Sequence, residues 1–275
     1  MPLLTKTTLL NDRAILTLSG SDCKSFLQGL ITNDINRISE DSAIYAALLT
    51  PQGKFLHDFF ITEKEDTLFL DCEKGRMADI YKRLMMYRLR ADVKIADCSE
   101  AYDVLASEKL SSEGILSYPD PRHRDMGFRN IILTSAISPS SQKDDLYDTQ
   151  RLSIGLPDGS KDFDIDKTLI LEGNLEELNG VDFNKGCYVG QEVTARMKHR
   201  AILKKRLLPI MVDGPLPARG TEIIDDAGKK IGDIRSGHDN RAIGYFRLAS
   251  MNFNQSYQCG EATITPWQPD WYPED

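Results

Sequence analysis

The residues with the means to do chemistry stand together in Lys185 to Arg200, KGCYVGQEVTARMKHR. Gly186 and Gly190 bracket Cys187 and Tyr188, so the backbone there can turn tightly or come close to a ligand. From Gln191 and Glu192 onward the pattern changes to one that opens a helix. A loop-to-helix junction presents free N–H groups and the positive end of a dipole, and both lower a thiol's pKa. Lys185 adds a cation near Cys187, and Tyr188 adds a flat face and a hydroxyl. Spacing alone leaves two readings, a poised thiol beside a ligand pocket and a buried structural cysteine in a glycine turn. Gln191 and Glu192 read as supports of the loop, with Glu192 favouring the helix N-terminus. Arg196, Lys198, His199, Arg200, Lys204, Lys205 and Arg206 follow as a basic run. Such a run either steers an anion, RNA or an acidic partner, or is a solvated face.

Composition limits what these residues can serve. A chain of 275 residues is long for one core and predicts two or three domains. A net charge of -8 argues against stable nucleic-acid binding. The first twenty residues alternate like a strand and carry neither a signal-peptide pattern nor an arginine-rich transit pattern. No apolar run approaches the roughly 18 residues that span a bilayer, so no membrane association is expected. Cys23, Cys72, Cys98, Cys187 and Cys259 form no CxxC pair and lie away from His57, His123, His199 and His238 in sequence. This pattern predicts no metal site and a reducing compartment, hence a cytoplasmic protein.

The elements that must hold the motif can be read in order. Residues 14–18 read as a strand, followed by a helix with Phe26, Leu27, Leu30 and Ile31 on one face. Residues 43–49 and 55–61 form a hairpin around Pro51-Gln52-Gly53-Lys54, and 66–71 add a third strand. A helix after Gly75 shows Met77, Ile80, Tyr81, Leu84 and Met85 on one face, and a strand follows at 93–96. Strands at 102–106 and 128–134 suggest a second unit, with 135–148 a loop or helix entry. Residues 151–184 lack a period, which marks a functional stretch or one lying against another domain. Short strands at 208–212, 221–224, 230–234 and 242–248 predict a small β-barrel or sandwich. The tail WQPDWYPED packs on the body or stays irregular. The expected class is α+β, with borders at 1–98, 99–200 and 201–275.

KGCYVGQE resembles the signature of the YgfZ-type folate-binding proteins, relatives of the glycine-cleavage T-protein, an aminomethyltransferase. The likeness extends to Gly20-x-Asp22-x3-Phe26-Leu27-Gln28-Gly29-Leu30-x-Thr32-Asn33-Asp34, to Tyr45, and to Pro51-Gln52-Gly53-Lys54 with Asp58. Asp120-Pro121-Arg122 with Gly127-x-Arg129, Arg151-x3-Gly155-x-Pro157, Leu171-Glu172-x-Asn174-Leu175 and Gly232-x3-Ser236 also match.

The resemblance implies ferredoxin-like α+β units in a ring around a folate opening, with a C-terminal β-barrel. It implies tetrahydrofolate or a derivative as ligand, with Asp58, Asp71, Arg151, Glu172 and Tyr188 as contacts. Asp58 would bind the pterin or accept a proton. Arg151 would meet a folate carboxylate or a protein acid. T-proteins carry two adjacent acids where this chain has His57-Asp58, and an asparagine where it has Asp71. Cys187 is the position that tells the YgfZ type from T-proteins, and the resemblance makes it the functional thiol. Such a thiolate holds iron, accepts sulfur or forms a mixed disulfide. The implied role is an accessory to assembly or repair of iron–sulfur enzymes, including tRNA-modifying ones, with client or assembly proteins as partners. The alternative is a tetrahydrofolate-dependent aminomethyltransferase.

Overall fold

The structure is a computed structural model that describes residues 7–39, 41–110, 114–136, 142–143, 145–200 and 203–273. The chain opens with β1 (Thr8–Leu9), which joins the second sheet, and the first unit then follows as β2 (Arg13–Ser19), α1 (Cys23–Gln28), β3 (Ile44–Leu49), β4 (Phe55–Lys64), β5 (Thr67–Glu73), α2 (Met77–Arg88) and β6 (Lys94–Asp97). Strands β3-β4-β5-β2-β6 make an antiparallel sheet. Leu16, Leu18, Ala46, Leu48, Phe59, Ile61 and Leu70 face the helices, where Leu27, Ile80 and Leu84 cover them. Alternation sends Tyr45, Ala47, Phe60 and Phe69 to the opposite face. Both faces are buried, which is why β3 reads as unbroken apolar sequence. Helix α1 stops at Gln28, shorter than its apolar face suggests, and Leu30 and Ile31 reach the same core from the turn beyond.

The second sheet has the order β10-β1-β7-β9-β8, from β7 (Tyr102–Ser107), β8 (Leu116–Pro119), β9 (Phe128–Leu133) and β10 (Gln142–Lys143) joined by the N-terminal β1. Of the stretch 135–148, residues 137–141 and 144 lie outside the described residues, and α3 (Asp145–Ile154) begins within it. The short α4 (Gly159–Asp162) lies within the aperiodic connection, and α5 (Gln191–Arg200) follows it. The last unit is a closed six-stranded barrel in the order β11-β14-β13-β12-β15-β16. Its strands are β11 (Lys205–Asp213), β12 (Glu222–Ile224), β13 (Lys230–His238), β14 (Arg241–Arg247), β15 (Tyr257–Cys259) and β16 (Ala262–Pro266). The expected α+β class with a C-terminal barrel is therefore what the chain forms. Strands β15 and β16, which close the barrel, carry too little periodicity to be read from sequence.

The connection lies against every neighbour, one of the two outcomes its lack of period suggested. The Phe55 amide donates to the Thr168 carbonyl at 2.9 Å, and Asp166 N–H donates back to Phe55 at 2.9 Å. Thr32 Oγ1 donates to Gly180 at 2.6 Å, and Asn174 Nδ2 donates to Leu207 in the barrel at 2.8 Å. The Phe163 ring stacks on Phe55 with centroids 4.4 Å apart. A side chain at Gly173 would fall 2.0 Å from that ring, so the turn is packed flat onto it.

Phe163→Ala removes this buried anchor, and the expected loss is about 3–5 kcal/mol. Urea denaturation followed by circular dichroism measures it. A change below about 1 kcal/mol would mean the connection is held by its backbone bonds instead.

Candidate functional site

The inner face of the first sheet meets the second sheet in a core that is polar at its centre. Asp71, on β5, is fully buried; its Oδ1 accepts from Arg13 Nε at 2.6 Å and its Oδ2 from Arg129 Nε at 2.8 Å. Arg122 grips Asp120 with two bonds of 3.0 and 2.8 Å and donates to the Tyr147 hydroxyl at 2.7 Å. The guanidinium groups of Arg13, Arg122 and Arg129 stand 5.5, 4.9 and 4.0 Å from the centre of the Phe60 ring. Such stacking offsets part of the cost of burying cations. Arg122 Nη1 is buried with no hydrogen-bond partner; the nearest carboxylate oxygen, on Asp158, is 4.0 Å away.

Asp58 faces this centre from β4, and its Oδ2 accepts from the Tyr45 hydroxyl at 2.9 Å. Burial raises its pKa, Asp158 adds to the rise, and Arg13 opposes it. Asp158 behaves oppositely: burial works against its charge, yet Lys161, Arg151, Arg122 and Arg13 hold it below the carboxylate range. The core thus sets side by side two acids whose surroundings push them in opposite directions, an arrangement found where protons are exchanged. His57 points the other way, under α2, with Nε2 2.8 Å from Asp79 Oδ2. Burial and the neighbouring Arg76 lower its pKa to about 4, so it is a neutral structural histidine.

The other expected contacts scatter. Arg151 donates to Asp148 at 2.5 Å, to Asp162 at 3.3 Å and to Ser236 of the barrel at 2.9 Å. Glu172 accepts from the Leu169 amide at 3.1 Å and the Tyr245 hydroxyl at 2.7 Å. Both side chains join the connection to the barrel. Asp71 lies at the centre, but both its oxygens are taken by arginines.

The motif sits on the outside of the hairpin. Lys185 is buried, and its ammonium donates to the carbonyls of Gln28, Ile31 and Asn33 at 2.8, 2.6 and 2.8 Å. Burial lowers its pKa to about 8, with Asp34 and Asp182 opposing the fall. Lys185 is thus a staple to the end of α1 rather than a free cation beside the thiol. Gly190 has φ +85° and lies so close to the hairpin that a side chain there would meet the Thr50 carbonyl at 2.6 Å. Tyr188 is buried in the central core, with burial raising its pKa to about 12. Gly186 meets nothing within 4 Å of where a side chain would be.

Between Gly186 and Tyr188, Cys187 is exposed; of the five cysteines Cys23, Cys72 and Cys259 are buried and Cys98 is half-buried. The reading as a buried structural cysteine is excluded. Cys187 precedes Gln191, the first residue of α5, by four positions, beyond the reach of a dipole that acts within the first turn. A groove of about 710 Å³ runs alongside, lined by Pro51, Tyr87, Tyr188, Val189, Gly190 and Gln191 among others. Glu192 is exposed and pairs with Arg196 at 2.9 Å. The basic run is dispersed: Lys198 pairs with Glu176, Arg206 is buried against Glu177, and the Arg200 side chain lies outside the described residues.

Sequence reasoning gave no role to Arg13, Arg129, Tyr147 and Asp158. For Arg129 the available signal was a charged residue inside the mostly apolar strand Phe128-Arg129-Asn130-Ile131-Ile132-Leu133.

Comparison with known proteins accounts for this layout. Residues 13–115 match the family model described as the GCVT N-terminal domain, and residues 204–274 match the CAF17 C-terminal beta-barrel domain. The mitochondrial iron–sulfur cluster assembly factor IBA57 of Mus musculus is 31% identical over 96% of this chain and 84% of its own length. The Homo sapiens protein of the same name is 29% identical over the same shares. The crystal structure of glycine cleavage system aminomethyltransferase T from Bartonella henselae superposes with a TM-score of 0.77. It covers 96% of this chain and 85% of that one, at 14% identity, a likeness of fold. The T-protein superfamily assignment therefore stands. The cytoplasmic expectation does not, because these relatives are mitochondrial. Cysteine usage separates oxidising from reducing compartments, and cannot tell two reducing ones apart.

Two outcomes follow from the geometry. Lys185→Met leaves three carbonyls without their donor, and the expected loss is about 2–3 kcal/mol in urea denaturation; no loss would deny the staple. For His57, the folded pKa lies below the ordinary 6.5, so the unfolded chain takes up a proton that the folded chain refuses. The stabilising contribution is complete above about pH 6.5 and disappears as pH falls toward 4, about 3 kcal/mol in all. Wild type should lose more stability than His57→Gln between pH 7 and 5; parallel losses would refute the assignment.

Proposed function

We propose that this chain, which belongs to the family of the iron–sulfur cluster assembly factor IBA57, acts in iron–sulfur cluster assembly through the Cys187 thiol, with a reduced folate in the polar core. The observation that carries this reading is the exposure of Cys187 in a loop fixed by Lys185 and Gly190, while Cys23, Cys72 and Cys259 are buried. Clusters normally take about four thiolates, so a single exposed thiol implies that a partner protein brings the remaining ligands or the sulfur. Such a thiolate can hold iron, take the outer sulfur of a partner's persulfide as that partner's thiolate leaves, or form a mixed disulfide by displacing one thiolate from a partner's disulfide. Client enzymes that modify tRNA belong to the same proposal.

The residues of the core suit tetrahydrofolate or a derivative. A pterin presents N–H donors and a carbonyl oxygen on its ring, and the core offers the Asp58 carboxyl, the unpartnered Arg122 Nη1 and the Tyr45 ring. Asp58 would take the N–H donors and Arg122 the carbonyl oxygen, with Tyr45 holding the Asp58 carboxyl in place. Folate, when bound, supplies a one-carbon carrier. Arg151 and Glu172 act at a distance, as braces between the connection and the barrel. The aminomethyltransferase reading has less support, since only Asp58 of the His57-Asp58 pair faces the core.

Calorimetric titration with tetrahydrofolate, paired with a cluster-assembly assay, tests both halves. Asp58→Asn should weaken binding at least about tenfold, the scale of one buried hydrogen bond to a charged group. Cys187→Ala should leave binding within about twofold and abolish assembly. Absence of binding in the wild type would sink the folate half. Assembly that survives in Cys187→Ala would sink the thiol half.

A further inference from the structure

A second cavity, away from both the thiol and the polar core, lies where the segment after Arg122, helix α3 and the barrel's tail meet. Its volume is about 240 Å³, and its wall includes His123, Asp125, Gln150, Trp267, Asp270 and Trp271. The chain has two tryptophans, and both are in this wall. Trp271 is fixed by its indole N–H, which donates to the Ile154 carbonyl at 2.9 Å. Trp267 is fixed through its backbone amide, 3.1 Å from the Pro209 carbonyl, while its indole nitrogen is buried without a hydrogen-bond partner.

The charges at this place have one sign. Asp125 and Asp270 bring carboxylates, and Asp270 has no ion pair among the described residues. His123 Nδ1 accepts the Asp125 amide at 3.2 Å. Gln150 Nε2 donates to the Asp125 carbonyl at 2.8 Å, which holds the acid's segment in position. Arg124, 3.7 Å from Asp125, is a surface side chain 91% exposed. Indole faces attract cations, and nearby carboxylates add to that attraction. A volume under the roughly 300 Å³ at which drug-sized pockets begin suits one amino-acid side chain.

We propose that this cavity binds an organic cation of side-chain size, the guanidinium or ammonium head of a basic residue or of a free basic amino acid. The site does not depend on the cluster-assembly reading, since it shares no residue with the Cys187 loop or with Asp58.

Intrinsic tryptophan fluorescence reads the site directly, because both indoles of the chain line it. The full chain is titrated with L-arginine amide, with L-citrulline amide as the isostere whose side chain is uncharged, and with the tripeptide Gly-Arg-Gly. The expected result is a saturable change with the arginine compounds and none with citrulline. Asp270→Asn should weaken the response about threefold and the Asp125→Asn/Asp270→Asn pair about tenfold, the scale of partly exposed charges. Tighter binding of the tripeptide would assign the cavity to a basic residue of a polypeptide, and tighter binding of the amide to a free amino acid. Equal responses to arginine and citrulline, no saturation, or unchanged affinity in the double variant with its circular dichroism intact would overturn the proposal.

Discussion

A carboxylate removed wholly from water survives as an ion only where cations come with it, and Asp71 sets that condition for this protein. Its two oxygens bind Arg13 from the neighbouring strand and Arg129 from the other sheet. The first sheet is thereby joined to the second through charge at the middle of an otherwise apolar interface. Around the Phe60 ring three guanidinium groups crowd together, an arrangement tolerable only with Asp71 and Asp120 between them. Such networks are often no more stable than an apolar core of the same volume, and removing one member costs about 3–5 kcal/mol. Stability alone therefore does not account for a polar centre here, whereas a polar ligand would.

The sheet strands, the helix over Met77–Arg88 and the barrel's main strands were legible because apolar residues recur at the spacing of their elements. The short β15 and β16 were not, since three and five residues hold too little pattern. At the site, residue types told that Asp58 and Cys187 mattered, but not that one faces inward and the other outward. Alternation along β4 could have separated His57 from Asp58, because neighbours on a strand face opposite sides. The partners of Asp71 could not have been found that way. Arg13 and Arg129 are 58 positions from it on either side, and only the pairing of two sheets brings them together. Lys185 shows the same limit: adjacency in sequence to Cys187 suggested electrostatics, while the fold uses the ammonium to tie down carbonyls over 150 positions away.

The proposed thiol chemistry and the proposed ligand chemistry occupy opposite sides of one hairpin. Strand β4 leaves the turn at Pro51-Gln52-Gly53-Lys54 and within a few residues delivers Asp58 to the core. On its outer side the same turn supports the Cys187 loop. Gly53 and Gly190 approach so closely that a side chain on either would collide with the other's backbone or its neighbours. The groove beside the loop is walled by Pro51 from the turn and by Tyr188 from the motif, so its shape is set by both.

That contact bears on how this chain can vary through descent. Surface hairpins are ordinarily where insertions and deletions accumulate, because a longer turn costs little. Here an added residue between Thr50 and Phe55 would lift the turn from Gly190 and alter the path of β4 toward Asp58 at once. The length of this turn is therefore expected to be inherited unchanged among relatives that retain both the cysteine and the aspartate, while Gly186, with open space around it, is free to drift.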